Sequence, residues 1–117
     1  MGTDDSGKFL LSVLQSNSVD TKFVEVINGI ASGMNVATMD AEGDYGAVVV
    51  SNANPNQFDN GDIWSDVSML LLQNEVPEVV NLNAALAAKK RNITVCINAA
   101  AAKELSPALQ ACMYCTT

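Results

Sequence analysis

Two short apolar runs joined by one helical pattern constrain this chain more than any other feature. Met69-Leu70-Leu71-Leu72 breaks off at Gln73, Asn74 and Glu75, and Pro77 then opens a helical stretch that reaches residue 91. Ile93-Thr94-Val95-Cys96-Ile97 follows, a β-branched run of the kind found in strands buried on both faces. Proline suits the first turn of a helix. Val79, Val80, Asn83, Ala84 and Ala87 fall on one packing stripe. The pattern predicts strand 68–74, helix 77–91, strand 93–98 and helix 103–112. Two strands joined by one helix make a right-handed βαβ unit with parallel strands. Polar groups at the carboxyl ends of such strands reach the crevice where open α/β sheets hold ligands. Glu75 and Asn98 stand at those two ends.

The first half of the chain has a different character. Residues 4–16 predict a helix, with Asp4, Asp5 and Ser6 as candidate caps and Phe9, Leu10, Val13 and Leu14 on one stripe. Residues 22–54 predict a β-meander: a partly alternating segment 22–30, a break at Ser32-Gly33, a turn at Ala41-Glu42-Gly43-Asp44 and a strand at Ala47–Val50. Its strands are thinly apolar, so the meander is expected to stand outside the main core as a flap. Residues 55–66 are polar around Phe58, Ile63 and Trp64, with a short helix expected near 59–65. The acidic spacing there fails the calcium-loop order, because no glutamate stands at its twelfth position.

With 117 residues and 49% apolar content, the chain has material for one ordinary domain with a core. Charged residues make up only 16%, below the usual quarter, which suggests surface covered by more protein. The net charge of −7 disfavours a nucleic-acid partner. Lys89-Lys90-Arg91 reads as the solvated end of a helix, where cations suit the macrodipole, with a small anion patch as the other reading. No run of eighteen apolar residues marks a membrane span. Met1-Gly2-Thr3-Asp4-Asp5-Ser6 lacks the regions of a signal peptide and is too acidic for a lipidation site, so a cytoplasmic protein is expected.

Three cysteines argue against a disulfide framework. Cys112-Met113-Tyr114-Cys115 matches a C-x-x-C spacing, but it ends a helix and has only Cys96 as a further thiol, so a zinc or redox site is not expected. The chain has no histidine, which removes every mechanism built on a Ser-His or Cys-His pair.

Seven segments, in order, resemble the motifs of the ribokinase family of carbohydrate kinases. Met1-Gly2-Thr3-Asp4-Asp5-Ser6-Gly7 is similar to that family's Val-Gly-x-Asp-x-x-Gly, and Val19-Asp20-Thr21 to its Gly-Val-Asp-Thr. Ser32-Gly33-Met34-Asn35-Val36 resembles Thr-Gly-x-Ala-x, and Asp40-Ala41-Glu42-Gly43-Asp44 resembles the Asp-x-x-Gly-Glu hairpin. Asn52-Ala53-Asn54 resembles Gly-Ala-Asn, and Leu71-Leu72-Gln73-Asn74-Glu75-Val76-Pro77 resembles Leu-Leu-Gln-Leu-Glu-Ile-Pro. Asn98-Ala99-Ala100-Ala101-Ala102 resembles Asn-Pro-Ala-Pro-Ala.

The resemblance implies an α/β fold: part of a doubly wound core with a β-sheet lid. Residues 1–117 would form a single truncated domain, with 22–54 as the lid and 1–21 and 55–117 as the core portion. It implies transfer of the ATP γ-phosphoryl group to a sugar hydroxyl, with ATP and Mg as cofactors and a homodimer paired through the lid strands. Carried over by position, Glu75 and Asn98 would face the sugar from the strand ends, and Asn35, Ala37 and Ala47 would lie on the lid face above it. The glycine-rich sugar segment, the Asn-x-x-Glu motif and the Gly-Ala-Gly-Asp motif with the catalytic base are not among these residues. No catalytic residue and no metal ligand is therefore assigned, and these 117 residues are expected to be inactive alone. Asn35 replaces the family's alanine, Asn52 replaces its glycine, and alanines replace both prolines after Asn98. Two other readings stand beside this one. The first is a non-catalytic remnant acting as a dimerisation module through free flap edges. The second, a nucleotide-binding Rossmann-like domain, lacks the glycine-rich loop it requires.

Overall fold

The computed structural model describes residues 1–53, 63–100 and 103–113. The chain divides into two compact units, Met1–Asn54 and Pro55–Thr117.

In the first unit, α1 spans Asp5–Ser16, β1 spans Met34–Met39 and β2 spans Tyr45–Val50. Asp4 is the cap of α1: its backbone is extended and its carboxylate accepts the Gly7 N–H at 3.0 Å. β1 and β2 pair antiparallel from Met34↔Val50 to Met39↔Tyr45. The turn between them is set by Asp40, whose Oδ1 accepts from the amides of Glu42 and Asp44, while Gly43 takes a φ of 91° that a side chain would resist. The strand expected within 22–30 is absent. That segment begins in a turn closed by Val24 N–H on the Thr21 carbonyl, and it meets the start of the chain through the Met1 amino group on the Glu25 carbonyl and the parallel bridge Gly2↔Ile27.

In the second unit, β3 spans Met69–Gln73, α2 Glu78–Lys89, β4 Thr94–Asn98 and α3 Pro107–Gln110. β3 and β4 pair in parallel, in register from Met69↔Thr94 to Gln73↔Asn98. Ala85, Ala88, Val95, Leu109 and Cys112 form the buried cluster, with Leu70, Leu72 and Ile97 packed against it. β3 is covered on that face alone: Met69 is 51% and Leu71 72% exposed, which corrects the expectation of a buried strand there, whereas Thr94 and Cys96 on the other face of β4 are half-buried.

Two further expectations need correction. The buried face of α2 is Val80, Asn81, Ala84, Ala85 and Ala88, not the stripe through Val79 and Asn83, which are exposed. Helix 103–112 shrinks to four residues, because Pro107 disfavours helical backbone at Ser106 and Ser106 caps the helix with its hydroxyl on Leu109 N–H. The short helix expected at 59–65 falls mostly outside the described residues, and so does Cys115 of the C-x-x-C pair. Lys89 and Arg91 close the end of α2 as solvated cations: Lys89 Nζ donates to the Ala111 carbonyl, and the Arg91 guanidinium lies 5.1 Å from the Trp64 ring centre. No helix among the described residues is long and apolar enough to cross a membrane.

Candidate functional site

The paired carboxyl ends of β3 and β4 bring two of the five candidate residues to one edge. Gln73 and Asn98 are register partners, and the pairing runs one residue further, with Asn74 N–H donating to the Asn98 carbonyl at 3.0 Å. The chain then alternates at this crest: Gln73 is exposed, Asn74 buried and Glu75 exposed. Glu75 stands two residues past the last pair, ahead of α2, whose first turn has Pro77 as its cap and no side-chain cap bond. Asn98 is exposed, and its Oδ1 accepts the Ala100 N–H at 2.9 Å, so its carboxamide shapes the loop that follows.

A residue that sequence reasoning missed fixes this crest. Asn81, only 2% exposed on α2, donates through Nδ2 to the Gln73 carbonyl at 2.8 Å. The helix thereby holds the last residue of β3 through a part-buried bond to its carbonyl. Asn81 shares its helix face with Ala85, four residues on, but the expected stripe through Val79, Val80, Asn83, Ala84 and Ala87 did not include either.

The other three candidates lie on the hairpin. Ala37 and Ala47 are direct partners, and Asn35 opposes Val49 two residues along. Side chains alternate across a strand, so these four share one face with Met39 and Tyr45. All are exposed. The hairpin belongs to the first unit and the β3–β4 edge to the second.

Among the described residues, the resolved electrostatic perturbation lies at the foot of the hairpin. A bond from the Ser32 hydroxyl holds the Asp4 carboxyl below its ordinary 3.8, with further help from the Ser32 and Gly7 amides. Among the described residues no cluster of three or more His, Cys, Asp or Glu could hold a metal ion. Neither helix that follows the β3–β4 strands opens on glycine. The residues described do not fit a Mg or nucleotide site, and no chemical step is assigned to either.

A parallel β-α-β pair in one unit and an exposed antiparallel hairpin in the other define a mixed α/β protein. Known proteins narrow it. The chain is related, over a partial region, to the ribokinase-like carbohydrate kinases. It is 26% identical over 106 residues to a ribokinase of Arabidopsis thaliana, covering 84% of this chain and 28% of the relative. The structure of Arabidopsis thaliana ribokinase complexed with ribose and ATP matches at a TM-score of 0.72 and 27% identity, over 83% of this chain and 34% of that one. Ribokinase from Cryptococcus neoformans in complex with ADP matches at 0.71 and 26%, over 92% and 34%. No family model matches the chain. The chain thus spans about a third of the length of these solved relatives.

Proposed function

We propose that this chain is the sugar-facing portion of a ribokinase-like carbohydrate kinase, with residues 22–54 as a lid and 1–21 and 55–117 as part of the core. The reaction is phosphoryl transfer from Mg·ATP to a sugar hydroxyl. Glu75 and Asn98 meet the sugar from the strand ends, and Asn35, Ala37 and Ala47 meet it from the lid. The observation that carries this reading is the likeness, at 27% identity, to a ribokinase solved with ribose and ATP. The joined ends of β3 and β4 support it independently: Asn98 pairs with Gln73, and Glu75 follows Gln73 by two residues at the same end of the ladder.

The Gly-Ala-Gly-Asp motif that supplies the resembled family's catalytic base is not among these 117 residues. A general base contributes about 10²–10⁴-fold in rate. Positioning contributes up to about 7–11 kcal/mol of barrier lowering. The chain alone is therefore expected to bind sugar without turning it over. Thermal unfolding of the purified chain with ribose, other sugars and ATP tests both parts, because a ligand bound only by the folded state raises the midpoint. A sugar-dependent rise that Glu75→Gln abolishes is expected. A rise unchanged by Glu75→Gln, or none with any sugar, removes Glu75 from the site. Sugar phosphate made by the chain alone would overturn its inactivity.

A second reading rests on the hairpin. Val48 is 66% and Met39 73% exposed, on opposite faces of a two-stranded sheet. Such a sheet is marginal alone, which favours pairing of lid strands between two copies.

A further inference from the structure

We infer that Asp4 is a positioning residue for the β1–β2 hairpin as well as the cap of α1: through Ser32, its carboxylate fixes the point from which both legs of the hairpin depart. The inference rests on bonds within the first unit and is independent of the kinase reading.

Capping α1 needs one oxygen and one amide, Asp4 Oδ1 and Gly7 N–H. Asp4 does more. Its Oδ1 also accepts the Ser32 hydroxyl at 2.7 Å, and its Oδ2 accepts the Ser32 backbone N–H at 3.0 Å, across 28 residues of chain. The same hydroxyl accepts the Gly2 N–H at 3.1 Å. On its other side the Ser32 carbonyl accepts Asn52 Nδ2–H at 3.1 Å, and the Ala31 carbonyl accepts Ala53 N–H at 3.1 Å.

Ser32 lies two residues before β1, and Asn52 lies two residues after β2. The clasp therefore takes hold of both legs at the level where the ladder stops. Every residue of β1 and β2 is exposed, whereas Ser32 and Ala53 are buried. The buried attachment of the hairpin is thus this knot at its foot. Its tightness is built into the backbone: a Cβ on Gly7 would stand 2.9 Å from the Ser32 hydroxyl oxygen, and one on Gly2 would stand 2.5 Å from the Ser32 nitrogen.

The test is native-state amide exchange on the full chain for wild type, Ser32→Ala, Ser32→Thr and Asp4→Asn, with the β3–β4 amides as internal reference. Ser32→Ala leaves the Asp4–Gly7 cap intact. It should speed exchange of amides 34–50 by about tenfold, the scale set by a lost buried hydrogen bond, while α1 keeps its wild-type rates. Ser32→Thr keeps the hydroxyl and should restore the hairpin rates. Asp4→Asn can still cap α1 but offers no second oxygen to the Ser32 N–H, and should also speed the hairpin selectively. Hairpin rates at the wild-type level in Ser32→Ala or Asp4→Asn overturn the inference. Equal acceleration of α1 and the hairpin also overturns it. So does collapse of the whole first unit in both variants with β3–β4 intact, because the pair would then support the unit as a whole and not aim the hairpin.

Discussion

Asp4 accepts hydrogen bonds from the Gly7 amide, the Ser32 amide and the Ser32 hydroxyl, and this gives it a pH signature. A carboxyl held below its ordinary 3.8 stabilises the fold fully above that value and loses its effect as pH falls through the lowered folded value. The thermal-midpoint gap between wild type and Asp4→Asn should stay constant from neutral pH down to about 4 and close in stronger acid. The neighbouring Lys8–Asp5 pair is exposed and screened by salt, so melts at fixed ionic strength isolate Asp4. Asn81 makes the second prediction at this scale. Asn81→Ala strands the Gln73 carbonyl and should cost about 1–3 kcal/mol in urea unfolding of the second unit. Asp4 was legible in the sequence as a cap, because a cap is read from neighbours. Ser32 was legible only as a break beside Gly33. Its partner lies 28 residues away, and no local pattern reports a bond of that reach.

At the scale of elements, α3 shows how little helix a core requires. It has four residues, yet Leu109 on it is fully buried against Ala85, Ala88 and Val95. Leu109→Ala should cost about 2–5 kcal/mol, read as a lower denaturant midpoint for the second unit with the first unit unchanged. The order strand, helix, strand, helix was readable from apolar spacing, and so was the parallel pairing. Element ends and burial were less so. Val79 and Asn83 satisfied a helical stripe as well as Val80 and Ala84 do, and only contact with β3 and β4 selects between them. Met69 and Leu71 read as core because apolar runs carry no mark of which face meets protein. Of the candidate site, the strand ends were legible because a βαβ unit fixes where they fall. The buried donor beneath them was not, since asparagine at one helical position among several gives no sign of its partner.

At the scale of the whole molecule, low charge content and exposed apolar strands point the same way. Val36, Val48 and Met34 share one face of the hairpin, and Met39, Tyr45 and Val49 share the other. If lid strands pair between copies, sedimentation equilibrium should show a dimer, and Val48→Glu should shift it to monomer without changing the melting of the second unit. A monomer at high concentration removes the dimer reading and leaves the sugar-facing one in place. The knot at the hairpin's foot also orders events during synthesis. α1 can wind as soon as its own residues leave the ribosome, whereas Ser32 must emerge before Asp4 finds its second partner, and Ala53 before the two legs are tied. A nascent chain halted between residues 32 and 53 would have one leg of the ribbon held at Asp4 and the other untied, with its valines open to whatever chaperone stands at the exit.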